Sequence, residues 1–547
     1  MTNPAAAGNG EPWADRLVWI FGFNLREEGD VAEIEATLAK AAASGLNGVV
    51  LSAGLDWLID RPAEFNSGLD RVIEACRKHD LEIIPAGFSF GYGNPFLGRD
   101  PNLAEGLPVK DALFIVGEDG TARLEPDPPV AIVNGGFEEH DGDTFPGYQL
   151  HDAPGQISFA DSAVYRSGAC SIRLENFDTD KYGHGRVSQR VRVHPFRSYR
   201  VSVWVRTEGL KPRGCFRMIA LAPGEGERDM LTREFDIPET GDWRQVTAVF
   251  NSSEFSEVTF YCGIWEGQEG KVWLDDWKIE ELGPQHVLRR PGTPVRVKSE
   301  NGKIVYREDS DYAPLRDPDM NVWQLDSPVP DLRIIPGGRI KPGDRLKVSW
   351  YHPMIIYQGQ VGSCMAEPAI YEIAEKAAKA MIERFKPRRV LLNMDEIRTA
   401  GTCHACGGKN AAKLLGQSVM RIARILRKYS PDLEIYIWSD MFDPYHNARP
   451  RYFHVEGDYS GSWQYLSRDI VITIWGGKLR AKSFEFFKSE GFQVMGACYY
   501  DAKNLDEVKE WVEAGREYGN VRGFMYTTWD RKYDLLPGFC ELLKQQP

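Results

Sequence analysis

Two acidic residues stand side by side in the stretch VLLNMDEI, residues 390–397. The apolar run before them predicts a buried strand, so Asp395 and Glu396 would lie where that strand ends. Paired carboxyl groups can divide the work of an acid and a base, as they do in glycoside hydrolysis. The alternatives are a solvated loop or a helix cap, because an Asp after a strand often begins the next helix.

Aromatic and acidic residues recur at the ends of the four predicted strands that follow. Indole faces stack on the apolar faces of sugar rings, and carboxylates donate protons or stabilise an oxocarbenium-like transition state. A single Trp at a strand end is usually packing, but recurrence on four successive strands favours a shared carbohydrate site. In chain order these residues are Trp438, Asp440, Trp475, Tyr499, Asp501, Trp529 and Asp530.

The loop after the acidic pair carries two cysteines in the sequence Cys403-His404-Ala405-Cys406. Two thiols at this spacing are half of a zinc site. Cys364, in the loop before the third barrel helix, would be a third ligand, with His404 or His352 as a fourth. The alternative is a tight turn that shapes the loop without metal.

Strands and helices alternate up to about residue 112 and again after about residue 365. The pattern predicts three strands in the first part and five in the second. Apolar residues at helical spacing, such as Ile34 and Leu38, mark the helices between them. Eight βα units that close on themselves form a (β/α)₈ TIM barrel, whose functional side chains sit at the C-terminal strand ends.

Between the two parts, short alternating strands replace the helical pattern at the spacing of a β-sandwich. The predicted fold class is therefore α/β, a TIM barrel interrupted after its third strand by an all-β jelly-roll sandwich. The predicted organisation is a flexible N-terminus (1–12), the first part of the barrel (13–111), a β-hairpin linker (112–131), the jelly roll (132–283), a β-rich linker (284–345) and the second part of the barrel (346–547).

Composition limits the partners of this chain. A formal net charge of -13 argues against nucleic acid, because phosphate binding needs a basic surface. No run approaches the ~18 apolar residues that span a bilayer, and the N-terminus shows no signal peptide. Nine cysteines, an odd number, favour free thiols in a reducing compartment. We expect a cytoplasmic protein, unless a leader has been removed, that acts on a glycan and binds neither nucleic acid nor membrane; the oligomeric state stays open.

The C-terminal half resembles glycoside hydrolase family 20, the β-N-acetylhexosaminidase-like enzymes. VLLNMDEI is similar to that family's strand-four Asp-Glu motif, and IYIWSDMF and ITIW are similar to its strand-five and strand-six Trp segments. YYD is similar to its strand-seven Tyr-x-Asp, and TTWD to its strand-eight Trp motif. LEIIPAGFSFGYG resembles the third-strand Ile-Pro segment. The match covers roughly residues 365–530 and 81–90.

This resemblance implies a role for each matching residue. Glu396 would be the general acid/base, and Asp395 would orient the substrate's 2-acetamido group and stabilise its charge. Tyr499 would bind the acetamido oxygen, and Asp501 a sugar hydroxyl. The acetamido oxygen would attack the anomeric carbon in a retaining, substrate-assisted reaction that needs no cofactor. The walls of the pocket would be Trp438, Trp475 and Trp529.

The sequence departs from the family pattern at three places. Arg531 stands where the strand-eight motif has Glu, with Asp530 beside the Trp. Arg26 is a loose counterpart of the first-strand Arg, and the third-strand His has no counterpart at residues 88–92. The sugar, its linkage and the need for an acetamido group therefore stay open. Arg26, Asp440 and Asp530 remain candidate substrate-binding residues.

The insertion resembles jelly-roll carbohydrate-binding modules of families 4, 9 and 22 over about residues 132–282, through VNGGFEEHDG and VWLDDWKIEE. Such modules often hold a structural calcium between a first-strand Glu and a last-strand Asp, which here implies Glu138 and Asp276. Hard oxygen ligands suit this ion. The alternative is that Asp275 and Asp276 cap a sheet edge.

Three functions compete on this evidence. The preferred one is exo-acting hydrolysis of a β-linked N-acetylhexosamine or a related glycan. The second is a retaining glycosidase for sugars without an acetamido group, with Glu396 as acid and Asp501 or Asp530 as nucleophile. The third is a glycan-binding protein on a barrel that has lost its activity.

Overall fold

The computed structural model of the protein describes residues 13–224, 227–476, 479–518 and 520–544. The predicted flexible N-terminus, residues 1–12, lies outside the described residues. Within the described ranges, no helix is both long and apolar enough to cross a membrane.

Eight parallel strands pair side by side and close into a barrel. The last strand pairs with the first in the register Asp15 to Gly523, which completes the ring. This architecture confirms the prediction of an α/β protein with an eight-stranded parallel barrel and additional antiparallel sheets. The strands, which we number β1 to β8 in chain order, are Asp15–Phe21, Gly48–Ser52, Glu82–Gly87, Arg389–Leu392, Glu434–Trp438, Ile470–Ile474, Gln493–Cys498 and Val521–Tyr526.

Helices follow the barrel strands, and local sequence sets their ends. Gly45 ends the first helix in the left-handed conformation, with φ at 101°. The side chain of Asn410 accepts a hydrogen bond of 2.8 Å from the N–H of Lys413 and begins the fourth helix. Between β5 and β6 the described chain forms short 3₁₀ turns instead. The helices of nine or more residues, α1 to α7, are Glu28–Ser44, Ala63–Lys78, Pro368–Phe385, Ala411–Tyr429, Arg480–Ser489, Asp506–Tyr518 and Leu536–Lys544.

The chain between β3 and β4 forms antiparallel sheets, two of which have five strands each. Their strands alternate buried and exposed side chains, the pattern of sheets with one face on a core. The first sheet has the order Gly241–Asn251, Ser198–Lys211, Glu269–Glu281, Ser171–Leu174, Ser158–Asp161. The second has the order Arg228–Phe235, Phe216–Ala222, Glu257–Ile264, Gly185–Arg192, Leu150–His151.

A third antiparallel sheet corrects two predicted boundaries. The stretches 112–131 and 284–345, predicted as separate linkers, both contribute strands to it. Residues 346–352, predicted as the start of the second barrel part, pair antiparallel with Leu107–Val116. Their alternating burial is typical of an antiparallel strand, whereas barrel strands are continuously apolar. The sheet has the order Val305–Tyr306, Arg296–Ser299, Arg345–His352, Leu107–Val116, Thr121–Leu124, Leu332–Arg333.

The two ends of the barrel differ in whether their charged side chains are paired with one another. At the N-terminal end, buried Arg389 contacts Asp15 at 2.5 Å and Glu82 at 2.6 Å, so each charge has a partner. Such compensated charges are structural. The barrel interior is filled by Leu17, Trp19, Val50, Ile84, Ala86, Leu391, Tyr436, Trp438, Val471, Met495, Ala497 and Met525. At the C-terminal end, aromatic and acidic side chains surround open space.

Candidate active site

A cleft of about 730 Å³ opens at the C-terminal ends of the barrel strands. This volume suits a site for a small ligand, and the lining combines aromatic with polar groups. It lies at the end where barrels of this type carry their functional residues. Residues on or just after barrel strands that line it are Trp19, Phe21, Ser52, Asn393, Asp395, Glu396, Trp438, Trp475, Trp529 and Asp530.

The lining includes six of the residues singled out from sequence, namely Asp395, Glu396, Trp438, Trp475, Trp529 and Asp530. A seventh, Asp440, is fully buried directly behind the cleft. Its carboxylate accepts hydrogen bonds from the Trp475 indole at 3.1 Å and the Glu396 N–H at 2.8 Å. Asp440 therefore orients two groups of the cleft and does not itself face a ligand.

Besides Asp440, three further predicted residues are not among those that line the cleft. The buried ring of Tyr499 stacks on Tyr526 with centroids 4.4 Å apart, and its hydroxyl donates to the Ala502 carbonyl. Tyr499, which was expected to bind an acetamido oxygen, is therefore packed in the core beside the cleft. Asp501 accepts a hydrogen bond of 2.8 Å from the Trp529 N–H, so it caps the loop after β8. The Arg26 guanidinium lies over the ring of Trp57, at 5.5 Å from its centroid.

Glu396 is held in an unusual backbone conformation. Its φ of 50° lies in the left-handed region, which costs a residue with a side chain free energy and recurs at functional sites. Hydrogen bonds fix it there, since its N–H donates to Asp440 and its carbonyl accepts from Gln360 at 2.7 Å. The carboxylate contacts Arg398 at 2.8 Å and accepts from the Tyr92 hydroxyl at 2.5 Å.

Asp395 has a different environment, although it is the neighbouring residue. Burial raises the pKa of its carboxyl well above the usual range, and the nearby carboxylates of Asp440 and Glu396 raise the pKa further. The backbone N–H of Asp395 and the charge of Arg398 lower the pKa, but they do not outweigh burial. The cleft therefore contains a carboxyl with a raised pKa beside a carboxylate that is paired with arginine.

The Tyr92 hydroxyl is a firm proton donor to Glu396. Burial raises its pKa above the ordinary value, and the charge of Glu396 raises it further. The loop that carries Tyr92 can approach β4 because Gly91 has no side chain. A Cβ at Gly91 would stand 2.4 Å from the Asp395 carbonyl oxygen.

Tryptophan side chains form the floor and one wall of the cleft. Trp19 and Trp438 are 1% and 2% exposed and meet edge to face with centroids 5.2 Å apart, so they form the floor. Trp475 and Trp529 are partly exposed and lie 6.4 Å apart at the rim. The Trp438 indole donates to the Asn393 side chain at 3.1 Å, which fixes the ring beside the acidic pair.

Sequence reasoning missed several residues of this site. Trp19 and Phe21 alternate along β1, so the period of a strand would have placed both on the inner face. Arg398 stands two residues after Glu396, where a buried cation was a natural partner for an acidic pair. Tyr92 and Tyr357 gave no local signal, because they come from the loop after β3 and from the end of the insertion.

Each of the two predicted calcium ligands has a partner within the protein. The Asp276 carboxylate pairs with Arg166 at 2.5 Å, and Glu138 accepts from the Ala169 N–H at 2.9 Å. Calcium binding by Glu138 and Asp276 therefore stays a prediction. Among the described residues, a group of three or more metal-ligand side chains forms only around the cysteines Cys364, Cys403 and Cys406, together with Glu105.

No protein-family model matches the chain, and no curated protein matches it. Among solved structures it is similar to a rhamnosidase from Novosphingobium sp. PP1Y, at 11% identity over 97% of this chain and 59% of that chain, with a TM-score of 0.31. A carbohydrate-binding module described as CBM4 matches 28% of this chain and 99% of its own at 18% identity and a TM-score of 0.22. A cyclase from Fischerella sp. TAU matches 28% of this chain and 97% of its own at 14% identity and a TM-score of 0.23. Likenesses at these TM-scores carry no argument about function.

Proposed function

We propose that the protein is a glycoside hydrolase whose catalytic pair is Asp395 and Glu396. The observation that carries this proposal is the contrast between the two carboxyl groups. One is a partly buried carboxyl whose pKa is raised, and the other is paired with Arg398 and Tyr92. Two neighbouring carboxyl groups in unlike surroundings are the usual equipment of a glycosidase.

The environments assign the roles. Asp395 is the general acid, because its raised pKa keeps a proton for the oxygen of the leaving group. Glu396 is the anion that acts at the anomeric carbon, as nucleophile, as base for water or as a stabiliser of positive charge. These roles are the reverse of those that the family resemblance implies.

The aromatic surface supports a sugar as the ligand. Trp475 and Trp529 present partly exposed rings at the rim, and Trp19 and Trp438 close the floor. Flat apolar faces of this kind stack on the C–H faces of a pyranose ring, while the carboxyl pair and Asn393 offer hydrogen bonds to hydroxyls.

Paired aryl β-glycosides with good and poor leaving groups test the proposal. Asp395→Asn should lower turnover of the poor leaving group by roughly 10²–10⁴-fold and that of the good one much less, because general acid catalysis is worth that amount. Glu396→Gln should lower turnover of both. Asp432→Asn, at an exposed residue that precedes β5 at the opposite end of the barrel, is the matched control and should retain activity. Equal losses on both substrates in Asp395→Asn would contradict the assignment of the acid.

A substrate-assisted reaction on a 2-acetamido sugar is the second candidate. It is favoured by the adjacency of Asp395 and Glu396, which lets both reach one sugar, and it loses support from the position of Tyr499 outside the lining. A thiazoline that resembles the cyclic intermediate should then inhibit tightly. A 2-fluoro glycoside that leaves a covalent adduct on Glu396 or Asp530 would instead identify a protein nucleophile.

A glycan-binding protein without activity is the remaining outcome of the same experiments. It would bind a glycan in both the parent and Glu396→Gln, with turnover of no substrate by the parent. The proposal of hydrolysis would then fail, while the cleft and its tryptophans would keep their role in recognition.

A further inference from the structure

Three thiols and one carboxylate from distant parts of the chain meet behind the loop that follows β4. The Cys364 sulfur lies 3.6 Å from that of Cys403 and 3.5 Å from that of Cys406. An oxygen of Glu105 lies 3.5 Å from the Cys406 sulfur. All four ligand atoms lie within 4.8 Å of one another, and all four residues are buried.

The separation of the sulfur atoms fits a shared ion. Thiolates at ~2.3 Å from a tetrahedral zinc ion stand ~3.8 Å apart, close to the spacing of Cys364 from its two neighbours. A disulfide needs ~2.05 Å between sulfur atoms and joins only two of the three. A disulfide between any two of these cysteines would also not account for the Glu105 carboxylate, which points into the same space.

Glu105 is oriented as a ligand that offers one oxygen. Its Oε1 accepts three hydrogen bonds of 2.9–3.0 Å, from the N–H groups of Thr402 and Cys403 and from the Thr402 hydroxyl. Its Oε2 is the oxygen directed at Cys406. Hydrogen bonds that fix one oxygen and direct the other are typical of the surroundings of metal ligands.

The charge around the cluster also suits a divalent cation. Three thiolates and a carboxylate carry four negative charges, and burying them without compensation is costly. Arg290 is almost fully buried and lies 3.8 Å from the Cys403 sulfur. Arg290 also pairs with Glu367 at 3.3 Å, so it cannot offset four anions, whereas a divalent ion neutralises two of the four charges.

We propose that Glu105, Cys364, Cys403 and Cys406 bind one Zn²⁺ ion in a closed, tetrahedral, structural site. Thiolates select soft or borderline ions, and a compact set of four ligands suits zinc rather than an iron–sulfur cluster. The site is separate from the proposed hydrolysis and assigns Glu105 as the fourth ligand. His404 is exposed, and His352 is already hydrogen-bonded to Asn251 and the Pro353 carbonyl.

The ion would connect three segments that adjoin the cleft. Glu105 precedes the first strand of the insertion, Cys364 follows its last strand, and the other two cysteines belong to the loop after Glu396. Zinc at this place would fix the end of the insertion and the catalytic loop to each other. Its role would be positional, since no open coordination site remains for a substrate.

Metal analysis of the full chain, purified without chelators, tests the proposal. We expect about one zinc per chain, and a fall to below ~0.1 in Cys364→Ala and Cys403→Ala, since each removes a ligand. Cys76→Ala, at a buried thiol in α2, and His404→Ala are the matched controls and should retain zinc. Zinc retained by both ligand variants, or iron in place of zinc, would overturn the assignment.

Cobalt exchange provides a readout that does not depend on the folding of variants. The parent protein, freed of zinc by a chelator and loaded with Co²⁺, should show the visible absorption of a tetrahedral cobalt thiolate. Accessible-thiol counts should rise by about three when the metal is removed. A parent protein that contains no zinc and takes up no cobalt, or a mass that shows a disulfide among the three cysteines, would refute the site.

Discussion

At the scale of single residues, the cleft depends on how the backbone separates two neighbouring carboxyl groups. The left-handed φ of Glu396 turns its side chain towards Arg398 and Tyr92, while the Asp395 carboxyl lies in surroundings that raise its pKa. Strained residues persist only where their surroundings hold them, and Asp440 and Gln360 supply those bonds. The chemistry proposed for the site follows from this local geometry.

Tyr92→Phe removes the hydroxyl that donates to Glu396 and leaves the ring in place. A hydrogen bond to a charged group contributes about 1.5–3 kcal/mol, so we expect kcat/KM to fall roughly 10- to 150-fold. Steady-state kinetics on an aryl glycoside measures this. Tyr429→Phe, whose hydroxyl donates to the Glu375 carboxylate at 3.0 Å at the end of α4, is the control. An unchanged kcat/KM in Tyr92→Phe would show that Glu396 does not need this donor.

Asp395→Asn should also change how stability depends on pH. Because the folded-state pKa of Asp395 is raised, the folded protein holds a proton that the unfolded chain releases above its own pKa of about 4. The free energy of unfolding of the parent therefore falls as the pH rises from about 4 towards the folded-state pKa of Asp395. The variant has no carboxyl at this position and lacks this pH dependence. Urea unfolding from pH 4 to 8 measures the difference. Parallel curves for parent and variant would contradict a protonated Asp395, and Asp530→Asn is the exposed control.

At the scale of elements, the site depends on the contact between the loop after β3 and the end of β4. Asn393 N–H donates to the Gly87 carbonyl at 2.8 Å, which extends the pairing of the two strands. Just beyond it, Gly91 lets the loop lie against the Asp395 carbonyl. A close approach of two backbones is the situation that requires glycine.

Gly91→Ala should push these two elements apart. The added Cβ would stand 2.4 Å from the Asp395 carbonyl oxygen, which cannot move without moving the acidic pair. We expect at least a tenfold loss of kcat/KM with a modest loss of stability, because ~1 Å of misplacement alone can cost 10²-fold. Gly29→Ala in α1 meets no atom within 4 Å and should have parent activity. Parent-like activity of Gly91→Ala would show that the loop can shift without consequence.

At the scale of the whole molecule, buried histidines join the insertion to the barrel, through His454, and two sheets of the insertion to each other, through His352. His454 Nε2 lies 2.8 Å from the Met230 carbonyl, and its Nδ1 lies 2.9 Å from the Ser253 hydroxyl. His352 Nε2 lies 3.0 Å from the side chain of Asn251. Burial lowers the pKa of His454 to about 3 and that of His352 to about 4, so both rings are neutral in the folded protein.

Acid should therefore weaken this junction. Both folded-state pKa values lie below the unfolded value of about 6.5, so stability is complete above that pH and falls as the pH approaches the folded values. At pH 5 the loss is about 2 kcal/mol for each histidine, at 1.36 kcal/mol per pH unit. Urea unfolding at pH 7 and pH 5 checks this. His454→Gln should lose less stability between the two pH values, whereas exposed His404→Gln should behave as the parent; an equal loss in His454→Gln would contradict the prediction.

The sequence by itself determined the barrel and the position of its acidic pair. Continuous apolar runs such as Val390–Leu392 can only be strands buried on both faces, and parallel strands place whatever follows them at one end. The acids, the tryptophans of β5 and β6 and the Trp after β8 could thus be located without coordinates. These inferences use periods of two and 3.6 residues, which are local properties of the chain.

Only the tertiary structure decided which side chains face the cleft and what charge state they carry. Tyr499 and Asp501 stand at a strand end like the others, yet stacking on Tyr526 and capping of Trp529 take them away from the lining. Glu105 meets three cysteines that are about 260–300 positions away in sequence. Such outcomes depend on packing between distant segments and on burial, and both arise only when the chain closes on itself.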